Sequence, residues 1–132
     1  MGDYKYKTLV VKVGTQVLTT AAGLLDEQII LQIVNQITEL KRAGVKIILV
    51  SSGAMGAGRA LIKKSEGMSD VVRRQLLASV GQVKLMNSYT KYFSEKKYLC
   101  AQVLATKEDF RDRRHYLNMK NCFEALLRDD IV

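Results

Sequence analysis

Two short apolar runs flank a segment of helical spacing within the first fifty residues. The first run is TLVVKV, residues 8–13, which is rich in β-branched residues, ends at Gly14 and is typical of a buried strand. Asp26 can cap the helix that follows. Gly44 ends that helix, and the basic residues Lys41 and Arg42 lie in its last turn. The second run is VKIILV, residues 45–50. This order predicts a β-α-β unit in which the two strands are parallel.

A long helix dominates the pattern after the second strand. We predict a short helix that begins within residues 54–61, and a long helix that runs from the cap residue Ser69 toward Glu95. Gly81 interrupts the long helix at a cost of about 1 kcal/mol relative to alanine, which predicts either a close packing contact or a break. One face of this helix is apolar and comprises Val72, Leu76, Val80, Val83 and Met86.

Three further elements are predicted in the last third of the chain. YLCAQVLA, residues 98–105, has the composition of a third strand. Thr106 can cap a short turn, and apolar positions at helical spacing predict a helix over residues 116–128. Ile131 and Val132 have the composition of the start of another strand.

Composition and charge narrow the class of protein. A chain of 132 residues with 48% apolar residues can bury one core, so we expect a single domain. No stretch approaches the roughly 20 apolar residues of a membrane span, and the N-terminus has no signal-peptide pattern, so we expect a cytoplasmic protein without a membrane partner. The net charge of +8 suits an anionic ligand. The basic residues of the chain are dispersed among acidic ones, however, and no RNA-stacking aromatic motif accompanies them. We therefore do not expect nucleic acid as a partner.

The cysteines and the histidine do not predict a metal site. Cys100 and Cys122 form no CxxC pair, and we expect both to be reduced core residues. His115 is the single histidine of the chain, which argues against a histidine-based metal site.

The loop after the second strand is rich in glycine. SSGAMGAGR, residues 51–59, has glycines at positions 53, 56 and 58. Two explanations stay open at this point: a phosphate or carboxylate group approaches the backbone, or the glycines allow a turn and close helix packing. The spacing is neither that of a P-loop nor that of a dinucleotide-binding fingerprint.

Lys12 and the residues after it form the second candidate for ligand chemistry. A lysine in a buried strand is costly unless its ammonium group reaches the end of the sheet or meets an anion. Gly14 and Thr15 follow it and, like Ser51 and Ser52, lie at the carboxyl end of a predicted parallel strand, where ligands of such sheets bind. Lys12 could there neutralise the charge of a transferring phosphoryl group, or it could simply extend into water.

Five segments in order resemble the N-terminal half of the glutamate 5-kinases, a branch of the amino acid kinase family. They are KVGTQVLT (12–19), VSSGAMGAGR (50–59), LLASVGQVKLM (76–86), AQVLATKEDFRDRRHYLN (101–118) and EALLRDDIV (124–132). The resemblance implies a three-layer αβα sandwich with a mainly parallel sheet. It also implies ATP-dependent phosphorylation of the γ-carboxylate of L-glutamate, as the first step of proline biosynthesis, with Mg²⁺ bridging the phosphates.

The resemblance also implies roles for individual residues. Lys12 matches a lysine that contacts the ATP phosphates and stabilises the transition state, and Gly14 and Thr15 match the first phosphate-facing loop. Ser52 matches a serine that binds glutamate, with Gly53 and Ala54 beside it. Arg59 matches an arginine of the motif, to which we assign no chemical role.

The same resemblance sets an expectation for the extent of the domain. We expect residues 1–132 to be the glutamate-side, N-terminal part of a truncated amino acid kinase domain, without the nucleotide lobe and without any RNA-binding-like C-terminal domain. Such a fragment should be inactive alone and prone to association through an open sheet edge. The complete enzyme is expected to be a homo-oligomer. The alternatives are another member of the family, such as an aspartokinase, acetylglutamate kinase or uridylate kinase, and a non-catalytic module that binds phosphate or a partner.

Overall fold

The computed structural model describes residues 4–64 and 66–132 as an α/β fold with a parallel sheet, as predicted. Two strands pair in parallel in the described part of the chain, with Thr8 opposite Lys46 and Val13 opposite Ser51. The elements in chain order are β1 Thr8–Val13, α1 Thr15–Leu18, α2 Glu27–Arg42, β2 Lys46–Ser51, α3 Ala54–Leu61, α4 Asp70–Glu95, α5 Lys107–Arg111 and α6 Arg113–Arg128.

Helix α2 begins and ends where the sequence predicts. The carboxylate of Asp26 accepts hydrogen bonds from the backbone N–H groups of Gln28 and Ile29, at 3.0 and 3.2 Å. At the other end Gly44 has φ +84°, the left-handed conformation that terminates many helices. The helix buries its apolar face in the core that joins the strands to α4, through Ile30, Val34 and Ile37.

The two faces of the sheet differ in burial, and this corrects the prediction that β1 is buried. Leu9, Val11 and Val13 face the core. Residues at the alternate positions, including Val10 at 66% exposure and Lys12, lie on an open face within the described residues. Because successive side chains of a strand point to opposite faces, the apolar run alone did not show which positions are covered.

Helices α3 and α4 cross at very short range. A Cβ at Gly81 would collide with the carbonyl oxygen of Ala54, and a Cβ at Gly58 would collide with the carbonyl oxygen of Leu77. Of the two alternatives predicted at Gly81, a close contact or a break, the structure shows the close contact, and α4 is unbroken from Asp70 to Glu95.

The buried face of α4 differs from the predicted apolar face. Val83, which belongs to the predicted face, is 63% exposed. The buried residues are instead Leu77, Gly81, Leu85, Ser88, Tyr89 and Phe93. The contact at Gly81 explains the difference, because it turns the helix toward α3 on the glycine side.

Residues 98–105 do not form the predicted third strand. Val132 accepts a hydrogen bond from Ala101 and donates one to Leu99, which is the pattern of a parallel pair. Residues 98–105 form no further ladder among the described residues, and residues 100–105 line an apolar groove of about 560 Å³ together with β2. A strand start was predicted at Ile131 and Val132; neither residue lies in a strand of the described structure, and Val132 contributes only these two hydrogen bonds.

A buried lysine connects the end of α6 to α2. The Lys41 ammonium group is 2.6 Å from the Asp130 carboxylate and donates to the Asp130 carbonyl oxygen at 2.9 Å. It also lies 5.0 Å from the centre of the Tyr98 ring.

Helix α6 itself begins at Arg113, three residues before the predicted start, and has no buried residue. No helix in the described residues is long and apolar enough to cross a membrane.

Candidate functional site

The two candidate loops lie side by side at the carboxyl ends of β1 and β2. Val13 pairs with Ser51 as the last residue pair of the parallel ladder. The backbone N–H of Ser52 then donates to the carbonyl oxygen of Val13 at 3.0 Å. The structure therefore brings Gly14 and Thr15 next to the segment Ser52–Ala54, as expected for adjacent parallel strands.

Gly14 faces open space, and the geometry of the protein does not require a glycine there. Its φ of −81° is accessible to any residue, and a Cβ would meet no atom within 4 Å. Its carbonyl oxygen accepts from Val17 at 3.1 Å, so the loop is ordered by the one-turn helix α1. Thr15 begins α1 and is exposed. The space in front of Gly14 would admit an approaching ligand.

Lys12 lies on the open face of the sheet, opposite Val50. The expectation that it is buried in the strand is wrong, so the cost of burial does not explain its presence. Among the described residues it has no hydrogen-bond or ion-pair partner. Lys12 is exposed and lies two residues before Gly14, near the end of the sheet where the two loops meet.

Gly53 uses the conformational freedom of glycine at the start of α3. Its φ is +105°, which L side chains rarely adopt, and it occupies the N-cap position of the helix. The residue is buried against Leu18 and Leu25, since a Cβ would lie 3.3 Å from Leu18 Cδ1 and 3.5 Å from Leu25 Cδ1. This turn directs the chain from Ser52 into the first helical residue, Ala54.

The other two glycines of this loop serve helix packing. A Cβ at Gly56 would lie 2.7 Å from Thr19 Cγ2, and Gly58 is at the crossing with α4. Arg59 is exposed, with its guanidinium group beside Gly23 in the loop before α2. Close packing therefore explains positions 56 and 58, whereas a ligand remains a proposal for the segment Ser52–Ala54.

A buried tyrosine contacts the strand residue that precedes the loop. The hydroxyl of Tyr89 is 2.8 Å from Ser51 Oγ, and burial raises the pKa of Tyr89. The sequence did not indicate this pair, because 38 residues separate its members and no motif contains both. A polar residue at the end of an apolar strand, such as Ser51, was the one available signal.

The cysteines differ in exposure. Cys100 is half-buried and its pKa is raised by burial, whereas Cys122 is exposed, contrary to the expectation that both are core residues. Within residues 4–64 and 66–132, no group of three or more His, Cys, Asp or Glu side chains is arranged to hold a metal ion.

Comparison of the sequence with known proteins identifies the family of the chain. Residues 7–132 match the amino acid kinase family. The chain is 49% identical to a glutamate 5-kinase of Chlorobaculum tepidum over 96% of its length, which is 35% of that protein. It is 44% identical to a glutamate 5-kinase of Bacteroides thetaiotaomicron over 97% of its length, which is 36% of that protein. The chain thus spans about a third of the length of these relatives.

Proposed function

The chain belongs to the amino acid kinase family, and on that premise we propose that it contributes the glutamate-binding side of a glutamate 5-kinase. The reaction would transfer the γ-phosphoryl group of ATP to the γ-carboxylate of L-glutamate, and the products would be ADP and glutamyl 5-phosphate. The observation that supports this best is the pair of adjacent loops at the carboxyl ends of β1 and β2, with an open approach at Gly14. The similarity to glutamate 5-kinases over nearly the whole chain supports the choice of substrate.

The proposed reaction needs no nucleophile from the protein. An oxygen of the substrate carboxylate forms the new bond to the γ-phosphorus, and the bond from that phosphorus to the β,γ-bridging oxygen breaks as ADP leaves. The protein then acts by alignment and by stabilising the charge of the transferring group. Lys12 is proposed for the second task, because its ammonium group is exposed and without a partner among the described residues.

The segment Ser52–Ala54 is proposed to bind L-glutamate. Ser52 is half-buried and its hydroxyl can donate to a carboxylate. Ala54 opens the eight-residue helix α3, whose first backbone N–H groups lack intrahelical acceptors and carry the positive end of the helix dipole. A carboxylate at this end is favoured over a neutral group.

Gly14 and Thr15 are proposed to face the ATP phosphates. The absence of a Cβ at Gly14 lets a phosphate oxygen reach the backbone, and the exposed Thr15 adds a hydroxyl donor. We propose that an Mg²⁺ ion accompanies the phosphates of ATP, since Mg²⁺ in kinase sites is commonly bound through substrate phosphates. We propose that the complete enzyme works as a homo-oligomer in the cytoplasm.

The test is an assay of ADP release by the full-length protein with and without L-glutamate. Lys12→Ala should lower kcat by about 100-fold or more, as is typical when a charge-stabilising group is removed. Lys46→Ala is the matched control, because Lys46 is exposed on the same sheet face at the opposite end of the strands and should leave kcat unchanged. Glutamate-independent ADP release, or equal effects of the two variants, would contradict the proposal.

A further inference from the structure

We propose that Tyr89 is a positioning residue for the segment Ser52–Ala54 and that it acts through Ser51. This inference rests on the proposed function, since it takes L-glutamate as the ligand of that segment. Neither residue belongs to the set that we propose to touch substrate, and no sequence motif contains both.

Tyr89 is buried and contacts the last residue of β2. Its side chain is 2% exposed, and its ring stacks on that of Phe93, with centroids 6.3 Å apart. The hydroxyl reaches the end of β2 and lies 2.8 Å from Ser51 Oγ. A buried tyrosine hydroxyl requires a hydrogen-bond partner, and Ser51 is the partner here.

The direction of the hydrogen bonds follows from the number of available protons. Ser51 Oγ donates to the carbonyl oxygen of Ser52 at 3.0 Å. A serine hydroxyl has one hydrogen, so Ser51 Oγ must accept the hydrogen of the Tyr89 hydroxyl. The result is a chain from Tyr89 through Ser51 to the backbone of Ser52, which holds the Ser52 carbonyl group in one orientation.

Helix α4 contacts both ends of this segment. Gly81, eight residues and about two turns before Tyr89, lies against the carbonyl oxygen of Ala54. The same helix face therefore contacts Ser51 through a hydroxyl and Ala54 through bare backbone. Because α4 is continuous between the two contacts, it sets the separation between the end of β2 and the start of α3.

Loss of the Tyr89 hydroxyl should make the segment Ser52–Ala54 less ordered at the end next to Ser51. Tyr89→Phe keeps the ring and its packing on Phe93 but leaves Ser51 without a donor. We expect the dissociation constant for L-glutamate to rise about 3- to 10-fold, which corresponds to one hydrogen bond. The dissociation constant for ATP should not change, because the side-chain hydrogen bonds of Tyr89 and Ser51 within the described residues reach each other and the Ser52 carbonyl group, not Gly14 or Thr15.

The experiment compares binding by titration calorimetry in the full-length protein. The variants are Tyr89→Phe, Ser51→Ala and the double variant, and each is titrated with L-glutamate and with ATP. The double variant should bind L-glutamate as weakly as the weaker single variant, because both remove the same link. Tyr92→Phe is the matched control: it removes a hydroxyl from the same helix, which bonds Glu27 at 3.1 Å, and should bind as the unaltered protein does.

Three binding results would overturn the proposal. They are unchanged L-glutamate affinity in Tyr89→Phe, an equal loss of ATP affinity, and additive losses in the double variant. Amide hydrogen exchange provides a readout that needs no ligand, through the N–H groups of Ser52 and Ala57, which bond Val13 and Gly53. Exchange at these sites should be faster in Tyr89→Phe than in Tyr92→Phe, and equal rates would show that Tyr89 does not order the segment.

The two readouts separate this inference from the proposed function. If the unaltered protein does not bind L-glutamate, the proposed function fails, and with it the ligand named here. Hydrogen exchange then still decides whether Tyr89 orders the segment. If the unaltered protein binds L-glutamate and Tyr89→Phe binds equally well, the positioning role alone is overturned.

Discussion

The α-carbon of Gly81 lies against the carbonyl oxygen of Ala54, so closely that no Cβ fits between them. This contact joins the middle of α4 to the first residue of α3, which directly follows the candidate glutamate-binding residues Ser52 and Gly53. The glycine that weakens α4 locally is therefore required by the crossing of the two helices.

Gly81→Ala should destabilise the fold without altering any polar group. The added methyl group would collide with backbone atoms, which cannot move as the end of a flexible side chain can. We expect a loss of about 3 kcal/mol in the free energy of unfolding, measured by urea denaturation. Ser79→Ala, at an exposed position of the same helix, should change stability by less than about 0.5 kcal/mol. Equal midpoints for the two variants would show that α3 and α4 can separate at little cost.

Gly14→Ala should leave the stability of the fold nearly unchanged and weaken the binding of ATP. The backbone conformation at Gly14 is accessible to alanine and the space is open, so stability should stay within about 0.5 kcal/mol. ATP affinity should fall by at least about tenfold, because the methyl group occupies the proposed approach of a phosphate.

Gly44→Ala is the comparison for this variant. The φ of +84° at Gly44 strains any L side chain, so Gly44→Ala should lose about 1 kcal/mol in the free energy of unfolding and keep its affinity for ATP. An unchanged ATP affinity in Gly14→Ala would contradict the assignment of this loop to the phosphates.

The two cysteines should react with thiol reagents at different rates. Burial raises the pKa of Cys100, so at pH 8 a smaller fraction is thiolate, and its half-buried position also restricts access. Cys122 is exposed on α6. Mass spectrometry of peptides after a short alkylation should show Cys122 modified first. Modification of Cys100 at the same rate would indicate that residues 98–105 open frequently.

The stability of the start of α5 should depend on pH in the acidic range. The backbone N–H and hydroxyl of Thr106 both donate to the Asp109 carboxylate, and these bonds lower the pKa of Asp109 below its ordinary value. A lowered pKa means that the contribution to stability is present above the unfolded-state pKa and is lost as pH falls through the folded-state pKa. The Thr106 amide resonance should report this loss at acidic pH, and Asp109→Asn should remove the pH dependence.

A polypeptide of residues 1–132 alone should not catalyse L-glutamate-dependent ADP release. Lys12 is the single cation among the residues that we propose to bind ATP or L-glutamate, and the curated relatives are about three times as long. Turnover within the ordinary range of about 1–10³ s⁻¹ would contradict this prediction. The intact mass of the assayed protein is the necessary control, because a longer polypeptide would account for any activity.

Local patterns were sufficient for most elements of this fold. The strand at residues 8–13, the Asp26 cap, the Gly44 terminus and the Ser69 cap of α4 all agree with the sequence. These features depend on interactions between residues close in the chain, such as a carboxylate and the N–H groups two and three residues later. The parallel order of β1 and β2 and the meeting of the two loops also followed, because they are consequences of a β-α-β connection.

Features that depend on distant residues did not follow from the pattern. Residues 98–105 are apolar enough for a strand, but a ladder requires a neighbour along its whole length, and β2 lies across a groove. The covered face of α4, the open position of Lys12 and the bond between Tyr89 and Ser51 all depend on which surfaces meet. The type of a residue shows whether its side chain can be buried or can form a hydrogen bond. Which residue it contacts depends on packing between segments far apart in the chain.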